Sequence, residues 1–215
     1  MALLAAFISL ANAIPMSYNN TIFPRVDPEI PAHERRGIAF NNPDFVHHFA
    51  VQPSAGGACM SVADAVAGWN EHIQPLKSLK KQMYLGSPAV SNAAATDSTG
   101  LGWLAKFIEA CSGCDVDFIN IHWYDRADNA AYFKQHIEDA RKVAQGRPIW
   151  VTEFRAEGTD EQVKRFFDEV LPWMDGSSDV ARYAYFMARP GPGMLINDAQ
   201  DGLSDLGAYY SFHDP

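Results

Sequence analysis

Glu153 is the residue whose type and setting most need a chemical reason. It closes the run "RPIWVTEF", where Ile149, Trp150, Val151 and Thr152 lead into a carboxylate. A carboxylate at the exit of a buried strand is costly to desolvate unless something pairs with it or uses it. Upstream, "VDFINIHWYD" ends another apolar run in His122, Trp123, Tyr124 and Asp125. Such residues suit glycoside hydrolysis, which needs two carboxylates about the scissile bond and aromatic faces for the sugars. In the retaining form the two lie about 5 Å apart, one attacking the anomeric carbon and the other donating a proton. The structural alternative for Glu153 is an ion pair with Arg155 or Arg182.

The elements that must carry these residues alternate. Strand patterns over 81–90, 116–125, 148–154 and 180–188 are separated by helix patterns over 98–111, 129–146 and 159–176. An earlier helix starts behind Ser61 and spaces Val62, Val66, Trp69, Ile73 and Leu76 along one side. A short strand precedes Asn41-Asn42-Pro43. Near-continuous apolar strands alternating with helices predict a parallel sheet covered by helices. The polar and aromatic residues gather at strand C-terminal ends: Asn41, His122, Tyr124, Glu153 and the run from Tyr185 through Phe186 to Arg189. A (β/α) barrel builds its site at that end. No GxGxxG or P-loop accompanies the strands, which removes the main support for nucleotide chemistry.

The whole chain sets wider bounds. Its 215 residues suffice for one domain with a real core, and 47% are hydrophobic against 20% charged, as in an ordinary globular protein. The formal charge of -9 and the lack of a basic block speak against a nucleic-acid partner. The first 13 residues hold a short apolar run and Ala11-Asn12-Ala13, a small-x-small cleavage pattern, though no Lys or Arg precedes it. They are expected to be a secretory signal, with a Pro-rich arm over 14–35 and the catalytic core over 36–215. No later segment reads as transmembrane, so the expected location is extracellular or the cell wall. Asn19-Asn20-Thr21 is a glycosylation sequon that matters only in a secreted chain. Of the three cysteines, Cys111 and Cys114 follow a helix rather than open one, which favours a structural bridge or free thiols over a redox pair. No fourth ligand stands at a spacing suited to zinc. No metal or cofactor is expected, and the chain is expected to act as a monomer.

The wording of several segments carries a resemblance. "RRGIAFNNPDFV", "YLGSPAV", "GLGWLAKFIEACSGCDVDFINIHWYD", "RPIWVTEF", "VARYAYFMA" and "LSDLGAYY" occur in order. Together they resemble the Asl1-like glycosyl hydrolase catalytic core, the endo-β-1,3-glucanase type of glycoside hydrolase family 128. The resemblance implies a (β/α)8 TIM-barrel-type fold, a retaining metal-free mechanism and linear β-1,3-glucan as substrate. It implies that Glu153 is the nucleophile on the seventh strand of the full barrel. "HWY" then closes the sixth strand and "RYAYF" the eighth, making Asn41, His122, Trp123, Tyr124, Tyr185 and Phe186 candidate substrate contacts.

One departure stands out. Members of the family carry an acid/base Glu in an Asn-Glu-Pro motif at the end of strand four. Here "NNPDFVHHFA" runs almost directly into "VQPSAGGACM", so strands two to four and that Glu are expected to be missing between about residues 49 and 52. A (β/α)8 barrel typically takes about 250 residues, more than this chain has. The expected architecture is an incomplete barrel. Asp125 and His122 are the remaining candidates for an acid; Glu71 falls mid-helix, and Asp117 begins its strand at the opposite end. Three readings stay open: a glucan hydrolase, a glucan-binding remnant, and an incomplete gene product. Adjacent residues alternate faces in a strand, so only one of each neighbouring pair should reach the barrel mouth.

Overall fold

The computed structural model describes residues 36–38, 60–79 and 84–212, with backbone only for 36–38 and 79. The proposed signal and arm, the sequon, Asn41, Cys59 and the junction near 49–52 lie outside the described residues.

Five parallel strands form the framework. They are β1 (Arg36–Ile38), β2 (Tyr84–Gly86), β3 (Ile119–Arg126), β4 (Ile149–Glu157) and β5 (Val180–Tyr185). β1 pairs with β2, and β3, β4 and β5 pair in that order. Parallel bridges from Gly86 to Phe118 and from Val90 to Ile121 connect the two groups. Helix α1 (Val62–Gly68) runs through a π-helical turn (Trp69–Ile73) into α2 (Leu76–Leu79). Then α3 (Gly100–Ala110), α4 (Ala130–Ala144) and α5 (Asp160–Asp175) each connect successive strands, and α6 (Asp205–Phe212) follows β5. Among the described residues β1 and β5 are the two edges. This partial parallel sheet with its helices is the α/β arrangement expected of an incomplete barrel.

Local chemistry explains where the helices start. Ser61 Oγ accepts from the Asp64 amide at 3.1 Å and opens α1. Thr159 and Gln162 form a reciprocal capping box at the start of α5, satisfying two otherwise orphaned donors. The first turn of α3 is packed by glycine. A Cβ on Gly102 would lie 2.1 Å from Thr96 O, and one on Gly100, at φ +55°, would lie 2.3 Å from Ala93 O. These close approaches hold the loop 91–99 against α3. Cys111 and Cys114 are bridged just beyond the C-terminal end of α3.

The core lies between the sheet and its helices. Trp123 is fully buried, stacked on Phe166 of α5 at 5.3 Å and edge-on to Phe133 of α4 at 5.2 Å. Phe154 continues this wall toward Phe133, Tyr185 and Tyr210. Two of the residues expected to touch substrate are therefore core residues. Trp123 is packed between β3 and helices α4 and α5. Tyr185 is 5% exposed, its ring edge-on to Phe167 and its hydroxyl donating to Ala156 O at 3.3 Å. The alternation of strand faces sends both to the helix-covered side.

Candidate active site

The opposite face of β3 and β4 brings Glu153, His122 and Tyr124 together, and a β-bulge makes this possible. Ile121 pairs with Val151, but His122 pairs with Glu153, so β4 carries one extra residue, Thr152. Val151 and Phe154, three apart rather than two, both reach the buried helix-covered side. Thr152 and Glu153 both face His122. Bulges commonly re-aim side chains at functional sites. The sequence carries this signal as the three-residue spacing of apolar residues in "VTEF".

Two groups flank the carboxylate, and Thr152 holds one of them. The Tyr124 hydroxyl donates to Glu153 Oε2 at 2.5 Å. His122 Nδ1 lies 3.5 Å from the same oxygen, while His122 Nε2 and Thr152 Oγ1 are 3.0 Å apart. Burial drives the His122 pKa down to about 3, so the ring is neutral across the physiological range. A neutral ring with its proton on Nδ1 donates toward Glu153 and accepts from the Thr152 hydroxyl. Burial raises the Glu153 carboxyl above the usual glutamate range, and the Tyr124 hydrogen bond partly opposes it. Burial first, then the Glu153 charge, keeps the Tyr124 phenol protonated and donating. Phe186 packs edge-on against Tyr124, their rings 5.6 Å apart, so it lies beside this face while its neighbour Tyr185 does not.

The other carboxylates go elsewhere. Asp125 accepts from the Arg126 amide at 2.7 Å and from Asn129 Nδ2 at 3.0 Å, which turns it toward the start of α4. Asp117 takes Lys77 Nζ at 2.5 Å and the Leu85 amide at 2.6 Å, at the far end of the sheet. Glu71 lies in the π-helical turn with its side chain 76% exposed. A neutral His122 has no imidazolium proton to give a leaving group at neutral pH. Asn92, absent from the sequence-derived candidates, binds Tyr124 through both of that residue's backbone groups. No sequence pattern marks it, because it sits in a loop. Among the described residues no group of three or more His, Cys, Asp or Glu could hold a metal ion, and no helix is long and apolar enough to cross a membrane.

Chemically, the face offers, among the described residues, one carboxylate with two oxygens, oriented by a phenol and a neutral imidazole at strand C-terminal ends. Burial without a cation partner among the described residues raises its free energy in the ionised form and with it its nucleophilicity. The Glu153 shift comes from burial, not from a neighbouring like charge, so none of the described carboxylates acts on it.

Comparisons with known proteins agree with this picture. Residues 9–210 match the model of a glycosyl hydrolase catalytic core. The chain is 33% identical over 186 residues to alkali-sensitive linkage protein 1 of Schizosaccharomyces pombe, covering 80% of this chain and 32% of that protein. It thus spans about a third of that relative's length. Among solved structures it resembles a curdlan-specific exo-β-1,3-glucanase of GH128 subgroup III from Blastomyces gilchristii, crystallised with glucose. The TM-score is 0.67 at 34% identity, covering 81% of this chain and 68% of that one. It also resembles a GH128 subgroup II endo-β-1,3-glucanase from Sorangium cellulosum, with a TM-score of 0.70 at 29% identity over 86% of this chain and 72% of that one. Taken with the strand-end carboxylate and the parallel sheet, these matches show that the chain belongs to the glycosyl hydrolase catalytic core family, within glycoside hydrolase family 128.

Proposed function

We propose that the chain is a secreted β-1,3-glucan-active glycosidase of the retaining type, in which Glu153 is the nucleophile and the acid/base carboxylate is missing. The observation that carries this reading is the Tyr124 hydroxyl donating to Glu153 Oε2 beside a neutral His122. That geometry leaves the other carboxylate oxygen to attack an anomeric carbon. In the step itself, the carboxylate oxygen forms a bond to the anomeric carbon as the glycosidic C–O bond breaks. The departing alkoxide then needs a proton, and none of the described carboxylates is placed to give one. Loss of general acid catalysis costs about 10²–10⁴-fold, and more for a poor leaving group. Turnover of natural glucan by this chain is therefore weak or absent. The expected ligand is a linear β-1,3-glucan, with Tyr124 and Phe186 as contacts on the described face and Asn41 as a further contact outside it; His122, also expected as a contact, is 2% exposed and sits beside Glu153. The protein acts as a monomer, and the chain leaves the cell by way of its first 13 residues for the extracellular space or cell wall.

A second reading has a specific observation behind it. With no second carboxylate among the described residues acting on Glu153, the face can bind glucan without cleaving it. Measuring reducing ends released from linear β-1,3-glucan, with Glu153→Gln as control, separates the two. Weak release that vanishes in Glu153→Gln supports the residual hydrolase; binding with no release supports the binding protein. Robust Glu153-dependent turnover at rates ordinary for such enzymes would overturn the claim that the acid/base is missing.

A further inference from the structure

We infer that Asn92 is a positioning residue for the candidate active site: its side-chain amide replaces a rung of the β-ladder and so fixes the Tyr124 hydroxyl on Glu153. This deepens the proposal that Glu153 is the nucleophile and rests on it.

The argument begins with where the neighbouring chain leaves β3. Val90 bridges to Ile121, and the Val90 carbonyl accepts from the His122 amide at 2.8 Å. In a continuing parallel ladder the next rung, two residues on, would bring the Tyr124 amide to the Asn92 main-chain carbonyl. The chain bends away here, and that carbonyl instead accepts from the Tyr132 hydroxyl at 2.6 Å. The side chain closes the gap. Asn92 Oδ1 accepts from the Tyr124 amide at 3.1 Å, and Asn92 Nδ2 donates to the Tyr124 carbonyl at 3.2 Å. A carboxamide carries both a donor and an acceptor, as a peptide group does, so it satisfies both Tyr124 backbone groups on this side. An ionised Asp could satisfy only the amide, and Leu neither group.

The anchor is itself anchored. Tyr132 on α4 holds the Asn92 carbonyl, and its ring packs 6.2 Å from Trp123 in the core. The close glycine contacts at the start of α3 hold the loop that follows Asn92. A continuous chain of contacts thus runs from the core through Tyr132, Asn92 and the Tyr124 backbone to the hydroxyl on Glu153. Of these, only Tyr124 touches the carboxylate, so Asn92 acts through it. Among the described residues, the titratable and charged groups about the site are Tyr124 and His122 from β3 and Arg155 from β4, whose cation acts on the Tyr124 hydroxyl. From the end of β5 comes Phe186, which does not titrate.

The test reads the titration of Glu153 rather than turnover, so it can fail independently of the proposed activity. The carboxyl carbon of Glu153 is followed by NMR against pH in protein labelled on glutamate, with Glu153→Gln identifying the signal. Tyr124→Phe should move the midpoint upward, because the hydroxyl favours the ionised form. Asn92→Ala should move it upward at least half as far, and the double variant no further than Tyr124→Phe alone. A merely structural role would leave the midpoint in place. An unchanged midpoint in a cooperatively unfolding Asn92→Ala protein, additive shifts in the double variant, or no shift in Tyr124→Phe would each overturn the inference. Should Asn92→Ala fail to fold, Tyr132→Phe, which keeps the ring and removes the hydroxyl, decides alone: an upward shift supports the anchor and an unchanged midpoint refutes it.

Discussion

Replacing Glu153 with Gln should stabilise the protein at neutral pH and lose that advantage in acid. Burial raises the Glu153 carboxyl and the Tyr124 hydrogen bond only partly offsets it. The native state therefore holds this proton more tightly than the unfolded chain does. Its contribution to stability is fully present below the ordinary glutamate value of about 4.3 and is lost as pH rises through the higher native value. At neutral pH the wild type carries a desolvated carboxylate that Gln removes. Two opposing quantities set the size. Effective desolvation of a fully buried ion costs several kcal/mol, but 24% of this side chain remains exposed and water screens it. Against that, the Tyr124 hydrogen bond falls from a charge-assisted to a neutral one, a loss of about 1 kcal/mol. The net gain is about 1 kcal/mol, or about 2–4 °C in Tm for a domain of this size. Calorimetry at about pH 7.5 and about pH 3.5, below the ordinary glutamate value, checks it. The Gln variant should melt higher at the first pH and level with wild type at the second. An equal or lower Tm at neutral pH, or the same offset at both, would refute the claim that burial dominates this carboxyl.

Further outcomes follow from the packing and the caps. Trp123→Ala should cost about 3–5 kcal/mol, measured by urea unfolding, because the ring fills space between α4 and α5. Phe186→Ala should weaken glucan binding several-fold by calorimetric titration, the scale of an aromatic contact of about 0.5–1.5 kcal/mol. Tyr185→Phe, which deletes only a hydroxyl behind the sheet, should leave binding unchanged. Thr159→Ala should lower stability by about 1 kcal/mol by removing half of the capping box on α5.

Much of this architecture can be read from the residues. Alternating apolar strands and amphipathic helices dictate the parallel sheet, and Ser61 and Thr159 mark helix starts that the structure shows capped by those side chains. Glu153 and Tyr124 stand out because polar groups at strand ends need a reason. What the sequence hides is which face each neighbour takes. Trp123 and Tyr185 look like sugar platforms by type, yet strand alternation sends them into the core. The bulge at Thr152 depends on pairing with β3, so it appears only as an odd apolar spacing. Asn92 is illegible for a related reason: its role exists only because the chain leaves the sheet where Tyr124 still needs backbone partners.

The central claim is that Glu153 is a nucleophile without its acid/base partner, and a covalent adduct tests it most directly. An aryl β-1,3-glucobioside with a good leaving group needs no proton donor, so attack by Glu153 can proceed. Breakdown of the resulting ester lacks a general base and should be slow. Intact-mass spectrometry should show one disaccharide added, and peptide mapping should place it on Glu153, with no adduct in Glu153→Gln. No adduct on the folded wild-type chain, or an adduct that persists in Glu153→Gln, would contradict the account.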